Sequence, residues 1–384
     1  MTVGIDIRFL ARGSRTGIEE YTLNLLSRLL PLGKEIKFKL FYNAYHKEAL
    51  NFDWLKLPNV ELYEFGLPNR FVFDPLAKFF KRPKVDKLIG GADVFFCPHF
   101  LLTPLSDDCQ KVLTFHDLSF EFFPEFFPRR KRFWHWFLSP RARANEAEKI
   151  IAISNSTKND LTSRFGIGKE KIKVIHSGIG HEFRRIQSDE HSALVRQKYH
   201  LPEKFILYFG TIEPRKNVDG LIRAFELFRD KNPAGPSLVI AGNLGWLYGR
   251  ILKAVNQSPW RNEIHLTGFV EPADKIYLYN LAGLFVYPSY FEGFGFPPLE
   301  AMACGVPVIC SHTAPFGEIV GEAALMVDPY NREEVAWAIN EMWRDESLRR
   351  DYIKSGFERV KRFSWDKCAQ ETLTLIKSLY ENRH

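Results

Sequence analysis

The amino-acid sequence predicts an α/β protein built from two Rossmann-like domains. Short apolar runs alternate with segments of helical period along the whole chain, and this alternation is typical of parallel sheets covered by helices on both faces. The 384 residues exceed what one hydrophobic core usually organises. A glycine-containing stretch without strong periodicity, residues 177–202, separates two sets of strands. We therefore expect an N-terminal domain at 1–180 and a C-terminal domain at 200–365, with a final helix at 366–384 assigned to the N-terminal domain as a working hypothesis.

Six strands are predicted in each half of the chain. Those of the first half lie at Val3–Phe9, Lys37–Tyr42, Asp93–Cys97, Lys111–Phe115, Lys149–Ile153 and Lys173–Ile175. Those of the second half lie at Phe205–Phe209, Leu238–Ala241, Ile264–Leu266, Leu284–Tyr287, Val308–Cys310 and Leu325–Val327. A turn and a helix follow each strand of the second set, which is the pattern of repeated strand–helix units.

The composition excludes several classes of protein. With 45% hydrophobic and 26% charged residues, the chain is typical of a soluble globular protein and not of a disordered one. It contains no apolar run of about 18 residues, and its N-terminus lacks a basic region followed by an apolar one. We therefore expect a cytoplasmic protein. The five cysteines are scattered and never spaced C-x-x-C, so we expect them to be reduced and structural.

Positive charge is concentrated in the first half. The chain has a net charge of +7; residues 1–180 hold 28 Lys and Arg against 20 Asp and Glu, and the remainder holds 25 against 26. This asymmetry favours an anionic partner for the first half, either a membrane surface or a nucleic acid. The excess is modest and no recognised nucleic-acid-binding motif is present, so we expect no nucleic-acid partner.

A basic turn follows the first strand of the second half. The sequence runs Gly210-Thr211-Ile212-Glu213-Pro214-Arg215-Lys216-Asn217 before a predicted helix. Basic side chains at a helix start oppose the helix dipole unless an anion is present, so Arg215 and Lys216 suit a phosphate group. An exposed basic turn without function is the alternative, and the spacing by itself does not separate the two interpretations.

A dense glycine- and carboxylate-rich motif follows the strand at 284–287. Glu292 lies in the loop Glu292-Gly293-Phe294-Gly295-Phe296, and Glu300 lies about one turn into the helix that Pro297 and Pro298 can start. Glycine lets a ligand approach the backbone closely, and carboxylates suit sugar or ribose hydroxyls. The alternative is a tight loop followed by an acidic residue that favours the first helical turn. The length and density of the motif favour a binding site.

Two weaker candidates lie in the first half. His116-Asp117 ends a strand at the expected ligand edge of the sheet, where Asp117 would fix the tautomer of a neutral imidazole that hydrogen-bonds a substrate. The segment Gly13-Ser14-Arg15-Thr16-Gly17-Ile18-Glu19-Glu20 is a glycine turn before the first helix. The sequence lacks the P-loop, H-E-x-x-H, G-x-S-x-G, complete G-x-G-x-x-G and D-x-D patterns. We therefore expect neither a metal nor another cofactor.

Together, these motifs resemble the retaining glycosyltransferases of family 4. Glu292 to Glu300 match the E-x7-E element of that family, with support from Gly210 to Asn217, and the resemblance covers most of residues 205–345. It implies the GT-B architecture, in which two Rossmann-like domains face each other across a cleft. It also implies that the N-terminal domain binds the acceptor and the C-terminal domain binds a nucleotide-diphosphate sugar.

The resemblance implies a role for each site residue. By this resemblance, Glu292 and His116 contact the donor sugar, Glu300 binds the ribose and Lys216 binds the diphosphate. Many members carry an Arg where Thr211 stands here, and Arg215 would supply that charge instead. Backbone groups implied in donor binding belong to Gly17, Gly210, Thr211, Val270, Gly293, Phe294, Gly295 and Phe296. The N-terminal loop often has paired glycines, whereas Ile18 follows Gly17 here.

The reaction implied is transfer of a hexose to a hydroxyl of a glycan or lipid-linked oligosaccharide, with retention and without a metal. The residue sequence of the segment 210–217 resembles that of bacterial mannosyltransferases of polysaccharide and lipopolysaccharide assembly. This resemblance implies mannose as the transferred sugar and GDP-mannose as the donor. Two alternatives stay open at this point. A sugar-nucleotide epimerase could share the architecture, and a basic nucleic-acid-binding protein would explain the charge of the first half.

The segment 120–143 mixes aromatic residues with a basic cluster. It contains Phe126-Phe127-Pro128-Arg129-Arg130-Lys131-Arg132-Phe133-Trp134, a composition found at membrane surfaces, and Phe79-Phe80-Lys81-Arg82 can extend it. We expect peripheral docking at the inner face of the cell membrane, beside a lipid-linked acceptor. A buried aromatic helix with a solvated, charged end is the alternative.

Overall fold

The computed structural model describes residues 1–12, 17–46, 50–187 and 189–383. Within them lie thirteen strands: β1 Thr2–Asp6, β2 Lys37–Asn43, β3 Val60–Phe65, β4 Val94–Cys97, β5 Gln110–Phe115, β6 Lys149–Ala152, β7 Ile172–Val174, β8 Phe205–Phe209, β9 Ser237–Ala241, β10 Ile264–Gly268, β11 Leu284–Tyr287, β12 Val308–Ser311 and β13 Leu325–Val327. Every strand pairs in parallel with its neighbours. The α/β class predicted from the sequence is confirmed.

The strands alternate with helices along the chain. The helices are α1 Gly17–Leu32, α2 Val85–Leu88, α3 Ser119–Phe122, α4 Arg129–Leu138, α5 Pro140–Glu146, α6 Asn155–Phe165, α7 Glu190–Lys198, α8 Val218–Lys231, α9 Gly249–Gln257, α10 Lys275–Leu281, α11 Phe296–Ala303, α12 Phe316–Ile319, α13 Arg332–Arg344, α14 Glu346–Val360 and α15 Trp365–Glu381. Apolar side chains on these helices cover the sheets, as in α8, where Leu221, Ile222 and Phe225 are buried.

The chain forms two compact units. The first unit comprises Met1–Leu118, Phe133–Gly178 and Ser364–His384, and the second comprises Ser119–Arg132 and Ile179–Phe363. The sheet of the first unit has the strand order β3-β2-β1-β4-β5-β6-β7, and that of the second has the order β10-β9-β8-β11-β12-β13. Each order reverses once, between β1 and β4 and between β8 and β11. These reversals are the topological switch points at which open parallel sheets bind ligands.

Strand β3 is an edge strand that the sequence analysis missed. It pairs only with β2 among the described strands, and its side chains alternate between exposed and half-buried positions. Glu61 and Glu64 interrupt its apolar pattern. Because an edge strand of this kind lacks the continuous apolar run of a central strand such as β4, in which every residue is buried, periodicity is a weak signal for it.

The first strand is shorter than its apolar sequence predicts. It was expected at Val3–Phe9 and ends at Asp6. The Asp6 carboxylate accepts hydrogen bonds from the backbone N–H of Arg8 at 3.1 Å and from its guanidinium at 2.6 Å. This local pairing turns the chain into a 3-10 helix at Arg8–Arg12, where Ile7 and Phe9 are buried by the turn and not by a strand.

The segment 119–132 packs within the second unit. The ring of Phe123 lies 5.7 Å from that of Phe291, and Phe126 stacks on Tyr290 at 5.6 Å. The indole N–H of Trp246 donates a hydrogen bond of 2.6 Å to the carbonyl of Phe126. Aromatic residues in the first part of the segment predicted for membrane contact are therefore engaged with the loop after β11 and with Trp246.

The last helix belongs to the first unit. Trp365, at the start of α15, is buried and its ring lies 5.7 Å from that of Tyr21 in α1. Arg28 of α1 forms an ion pair of 3.9 Å with Asp366. The five cysteines are all buried and free. Over the part of the chain that the structure describes, no helix is both long enough and apolar enough to cross a bilayer.

Candidate active site

The best-developed constellation of polar residues lies at the switch point of the second sheet. The turn at 210–217 follows β8 and the loop at 288–295 follows β11, and these two strands are neighbours. Asn217 joins the two segments, because its side-chain amide donates to the carbonyls of Pro288, at 3.0 Å, and Pro329, at 2.7 Å. The backbone N–H of Tyr290 donates to the carbonyl of Arg215 at 2.9 Å. The fold therefore holds the predicted phosphate and carboxylate motifs side by side.

Lys216, Arg215 and Glu292 form one buried ion-pair cluster. The Lys216 ammonium lies 2.5 Å from Glu292 Oε1, and Arg215 Nη1 lies 3.1 Å from Oε2. Arg215 also pairs with Glu213 at 2.8 Å and donates to the carbonyl of Phe291 at 2.5 Å. Two cations and two carboxylates are thus balanced, and a diphosphate that enters must share the cations with Glu292 and Glu213.

Two further side chains orient Glu292. Ser289 Oγ donates to Glu292 Oε1 at 2.8 Å and the Tyr287 hydroxyl donates to the same oxygen at 3.1 Å. Lys216 in turn donates to the Tyr287 hydroxyl at 2.6 Å. The sequence analysis gave neither residue a role. The signal available was their position at and just after the end of β11, five and three residues before Glu292, the single acidic side chain of the loop at 288–295.

Burial and the neighbouring charges determine the ionisation of this cluster. Burial opposes the charged form of Glu292, but the attraction of Arg215 and Lys216 outweighs it and lowers the pKa of Glu292 to about 2. Burial lowers the pKa of Lys216, and the like charge of Arg215 adds to this effect while Glu292 opposes it. The charge of Arg215 therefore lowers the pKa of both Lys216 and Glu292. At neutral pH, Glu292 is an ionised hydrogen-bond acceptor.

The loop after Glu292 leads into α11 with its backbone closely packed. Phe294 is buried and meets Phe363 edge-on at 5.6 Å, so its side chain belongs to the core. Gly295 has a φ of 96°, and a Cβ placed there would lie 2.6 Å from the ring of Phe316. Only glycine fits this backbone. Gly293 lies two residues before it, and α11 begins one residue after it, at Phe296, so this part of the loop lies at the positive end of the helix dipole.

Glu300 has its own set of partners. Lys275 Nζ lies 2.6 Å from Glu300 Oε1, and the Tyr279 hydroxyl donates to Oε2 at 2.7 Å. Both partners lie on one face of α10, four residues apart. Burial, followed by the charge of Glu300, raises the pKa of Tyr279 well above its ordinary value. The sequence analysis missed Lys275 and Tyr279, and their spacing on a helix was the signal available.

The remaining donor-site predictions lie at strand ends of the same sheet. Gly210 directly follows β8, and its N–H donates to the carbonyl of Ala241 at the end of β9. Thr211 is exposed and Val270 is buried just after β10. These positions are where a nucleotide would meet the backbone of a Rossmann-like domain.

His116 lies in the first unit, directly after β5. Its Nε2 donates to the carbonyl of Pro98 at 2.8 Å, since a carbonyl can only accept, and its ring meets that of Tyr21 edge-on at 4.8 Å. The sequence analysis expected Asp117 to fix the tautomer of His116. In the structure, the hydrogen bond to the carbonyl of Pro98 fixes it instead. Burial lowers the pKa of His116, against the Pro98 hydrogen bond and the charge of Asp117. The imidazole is neutral at pH 7, with its lone pair on Nδ1.

The predicted N-terminal glycine loop is only partly within the described residues. Gly17 is the first residue of α1 and is exposed, with open space where a Cβ would lie. Residues 13–16 of this predicted loop lie outside the described residues. Among the side chains that the structure describes, no three of His, Cys, Asp or Glu are grouped as metal ligands would be.

Comparisons with known proteins place the chain in a family. Residues 15–183 match the model of Glycosyltransferase Family 4, and residues 193–359 match that of Glycosyl transferases group 1. Over 95% of its length the chain is 30% identical to the O-antigen chain mannosyltransferase B of Escherichia coli, and the match covers 96% of that protein.

Solved structures with low sequence identity share the fold. Sucrose-phosphate synthase (tll1590) from Thermosynechococcus elongatus has a TM-score of 0.78 at 20% identity, with 99% of both chains covered. Alr3699/HepE from Anabaena, solved in complex with UDP-glucose, has a TM-score of 0.73 at 19% identity, with 98% of this chain and all of that chain covered.

The chain therefore belongs to the glycosyltransferases that combine a family 4 domain with a group 1 domain, and it has the GT-B fold. The resemblance predicted from Glu292, Glu300 and the turn at 210–217 is confirmed. The second unit contains the group 1 domain, and the first contains most of the family 4 domain. The ion-pair cluster of Arg215, Lys216 and Glu292 is the candidate active site of this glycosyltransferase.

Proposed function

We propose that this protein is a retaining mannosyltransferase that takes mannose from GDP-mannose and attaches it to a hydroxyl of a glycan or lipid-linked oligosaccharide. The observation that carries the proposal is the buried cluster in which Lys216 and Arg215 flank Glu292 at the switch point of the second sheet. Such a site offers cations to a diphosphate and an oriented carboxylate to sugar hydroxyls. The similarity to an O-antigen chain mannosyltransferase supports mannose as the sugar.

In this proposal the residues of the second unit hold the donor. Lys216 and Arg215 bind the diphosphate, and the N–H groups at the start of α11 add positive potential. The Glu292 carboxylate accepts hydrogen bonds from sugar hydroxyls, and Glu300 accepts them from the ribose. Backbone groups of Gly210, Thr211, Val270 and residues 293–296 complete the donor site. In the first unit, His116 accepts a hydrogen bond from the donor sugar through Nδ1, and the backbone of Gly17 contributes to donor binding.

The proposed chemistry is a substitution on one face of the sugar. The bond between the anomeric carbon and the diphosphate oxygen breaks, and the electron pair stays with the diphosphate. The acceptor oxygen bonds to the anomeric carbon from the same face, and its proton passes to the departing phosphate. Lys216 and Arg215 stabilise the charge that develops on the leaving group, which is the role a metal ion has in other transferases. We propose that no metal is required.

The acceptor proposed here is membrane-associated. The protein lies in the cytoplasm and docks peripherally at the inner face of the cell membrane, with the contact expected from the segment 120–143. The excess of basic residues in positions 1–180 supports this placement.

The donor is identified by thermal shift and nucleotide release with a panel of GDP-mannose, GDP-fucose, UDP-glucose, UDP-N-acetylglucosamine and dTDP-rhamnose, with EDTA present. We expect stabilisation and slow release with GDP-mannose alone. Lys216→Ala should bind it about ten- to hundredfold more weakly, because each hydrogen bond to a charged group contributes about 1.5–3 kcal/mol. Lys253→Ala, which removes an exposed lysine from α9, is the matched control. Equal binding by Lys216→Ala and the wild type would overturn the assignment of the diphosphate site.

A further inference from the structure

Two segments of the first unit, residues 69–80 and helix α4 from Phe133 onwards, together carry five strongly exposed aromatic side chains. They are exposed to 85% for Phe71, 71% for Phe79, 70% for Phe80, 61% for Phe133 and 72% for Trp136. We call these five residues the exposed aromatic face. Leu76 and Val72, both more than a third exposed, lie in the same segment. Scattered exposed aromatic residues are ordinary, whereas a group of them is typical of an interaction surface.

Contacts join the two segments that carry this face. Phe79 meets Phe137 of α4 edge-on at 6.3 Å, and Phe137 stacks on Phe133 at 6.5 Å. The Arg70 guanidinium lies 5.6 Å from the ring centre of Trp134. Lys78 donates a hydrogen bond to the Ser139 hydroxyl, and its ammonium lies 5.9 Å from the ring centre of Phe137. Residues 69–80 and the C-terminal half of α4 therefore form one continuous surface.

The inner side of residues 69–80 is fixed to the core of the first unit. Phe73 is fully buried, with the Arg8 guanidinium 4.7 Å from its ring centre. Asp74 is buried and pairs with Arg8 at 3.9 Å. The side-chain amide of Asn43 donates to that of Asn69 at 2.7 Å. Because the inward residues are held in place, the outward phenylalanines are preorganised and lose little conformational entropy on binding.

The segments that carry this face contain more basic than acidic side chains. Residues 69–84 contain five basic side chains, Arg70, Lys78, Lys81, Arg82 and Lys84, and one acidic side chain, the buried Asp74. Residues 133–139 contain no Asp, Glu, Lys or Arg. Lys81 and Arg82 are exposed and follow Phe79 and Phe80 directly. The surface is thus apolar at its centre and positive at its rim.

We propose that the exposed aromatic face docks on an anionic lipid bilayer. The phenylalanines and Trp136 enter the boundary between headgroups and acyl chains, while Lys81 and Arg82 pair with lipid phosphates. A second copy of this chain fits less well, because it would bring two basic rims together. A single-stranded nucleic acid would use aromatic stacking, but the aliphatic Val72 and Leu76 suit acyl chains and not bases.

This inference rests on the proposed function and deepens its membrane contact: it keeps the part of the segment 120–143 from Phe133 onwards and adds Phe71, Phe79 and Phe80. The aromatic residues at 122–127 are instead packed within the second unit. Docking and donor chemistry lie in different units and can be tested separately. Vesicle binding is measured without any nucleotide sugar, so its failure would leave the donor assignment untouched.

The test is cosedimentation of the full chain with vesicles of phosphatidylcholine, with and without phosphatidylglycerol. Binding is expected only with phosphatidylglycerol and should weaken as salt is raised. Phe79→Ser with Phe80→Ser should lower the partition coefficient at least about a hundredfold, because two phenylalanines would no longer be buried in the bilayer. Lys81→Gln with Arg82→Gln should lower it about thirtyfold, because two basic residues would no longer attract the anionic surface.

Trp337→Ser is the matched control, because Trp337 is 54% exposed on α13 in the second unit. It should leave vesicle binding unchanged. Thermal unfolding shows whether each variant is folded, and GDP-mannose release shows whether the donor site is intact. The proposal is overturned if the wild type does not bind anionic vesicles or if Trp337→Ser weakens binding as much as the phenylalanine variant. It is also overturned if the Phe79→Ser, Phe80→Ser variant still binds vesicles like the wild type but has lost self-association or oligonucleotide binding.

Discussion

Lys216 and Glu292 stabilise each other in a buried environment, and Arg215 determines how the pair ionises. Burial alone would neutralise both groups, since an unpaired buried charge is costly. With two cations beside it, Glu292 stays ionised and is ready to accept hydrogen bonds. Ser289 and Tyr287 hold its Oε1 in place. These hydrogen bonds fix the orientation of the carboxylate, and fixed polar groups are a condition for electrostatic preorganisation.

The low pKa of Glu292 predicts how stability depends on pH. The folded pKa of about 2 lies below the ordinary value of 4.5, so the carboxylate stabilises the folded protein at pH values above about 4.5. This contribution is lost as the pH falls towards 2. The stability difference between the wild type and Glu292→Gln should therefore shrink below about pH 4.5, by up to about 1.4 kcal/mol per pH unit, in urea unfolding.

Glu203→Gln is the control for that experiment, because Glu203 is exposed and belongs to no ion pair described here. Its difference from the wild type should stay near zero across the same range of pH. If the difference for Glu292→Gln were independent of pH, Glu292 would have an ordinary pKa, and the charge balance of the cluster would be wrong.

At the scale of the secondary-structure element, the backbone conformation of the loop that carries Glu292 depends on one glycine. Gly295 joins the loop to α11 with a φ of 96° and packs against Phe316. Gly295→Ala should destabilise the protein by about 1–3 kcal/mol, because it adds both backbone strain and a clash. It should also weaken donor binding by displacing the start of α11. Urea unfolding and donor titration measure the two effects.

Gly317→Ala provides the matched comparison for Gly295→Ala. Gly317 lies one residue beyond Phe316 in α12, with open space where a Cβ would lie and no positive φ. Alanine there should be neutral or slightly stabilising. A loss of stability at Gly317 equal to that at Gly295 would contradict the account, because the effect would then reflect any added methyl group near Phe316.

Elements with continuous apolar runs could be predicted from the sequence, and those that depend on tertiary pairing could not. The central strands of both sheets fall close to their expected positions. Edge strand β3 was missed because none of its side chains is fully buried and two of the six are exposed. The predicted β1 was too long because Asp6 and Arg8 form a turn that periodicity does not reveal. Local sequence patterns predict well which residues are buried, but they do not predict which polar groups form hydrogen bonds or ion pairs with each other.

The candidate site was predictable to the extent that its residues share a motif. Glu292 and Lys216 were found because each lies in a dense segment after a strand, and parallel strands bring such segments to one edge. Lys275 was missed because its partner Glu300 lies 25 residues away on another helix. Pro98 was missed as the partner of His116 because a backbone carbonyl leaves no mark in a sequence.

On the scale of the whole molecule, the chain leaves the first unit after Gly178 and returns to it at Ser364. The returning helix α15 packs on α1 through Trp365 and Tyr21. Trp365→Ala should therefore destabilise the first unit by about 3–5 kcal/mol, the usual cost of removing a fully buried tryptophan. Calorimetric unfolding should show this loss. Trp337→Ala, at an exposed site of the second unit, should change stability by no more than about 0.5 kcal/mol.

The contrary outcome for Trp365 would be informative about the fold. If Trp365→Ala lowered stability no more than Trp337→Ala, then α15 would not contribute to the core of the first unit. The helix at 366–384 would then have to be separated from the N-terminal domain, to which the sequence analysis assigned it.

The central claim is that a nucleotide-activated mannose is bound by Lys216 and Glu292 and transferred to a lipid-linked glycan. The most direct test is transfer of radiolabelled mannose from GDP-mannose to a lipid-linked oligosaccharide fraction, with EDTA present and with wild type, Lys216→Ala and Lys253→Ala compared. The account predicts labelled product with the wild type and Lys253→Ala and a loss of at least about tenfold with Lys216→Ala. Labelled product formed equally by Lys216→Ala, or from a UDP-sugar and not from GDP-mannose, would contradict it.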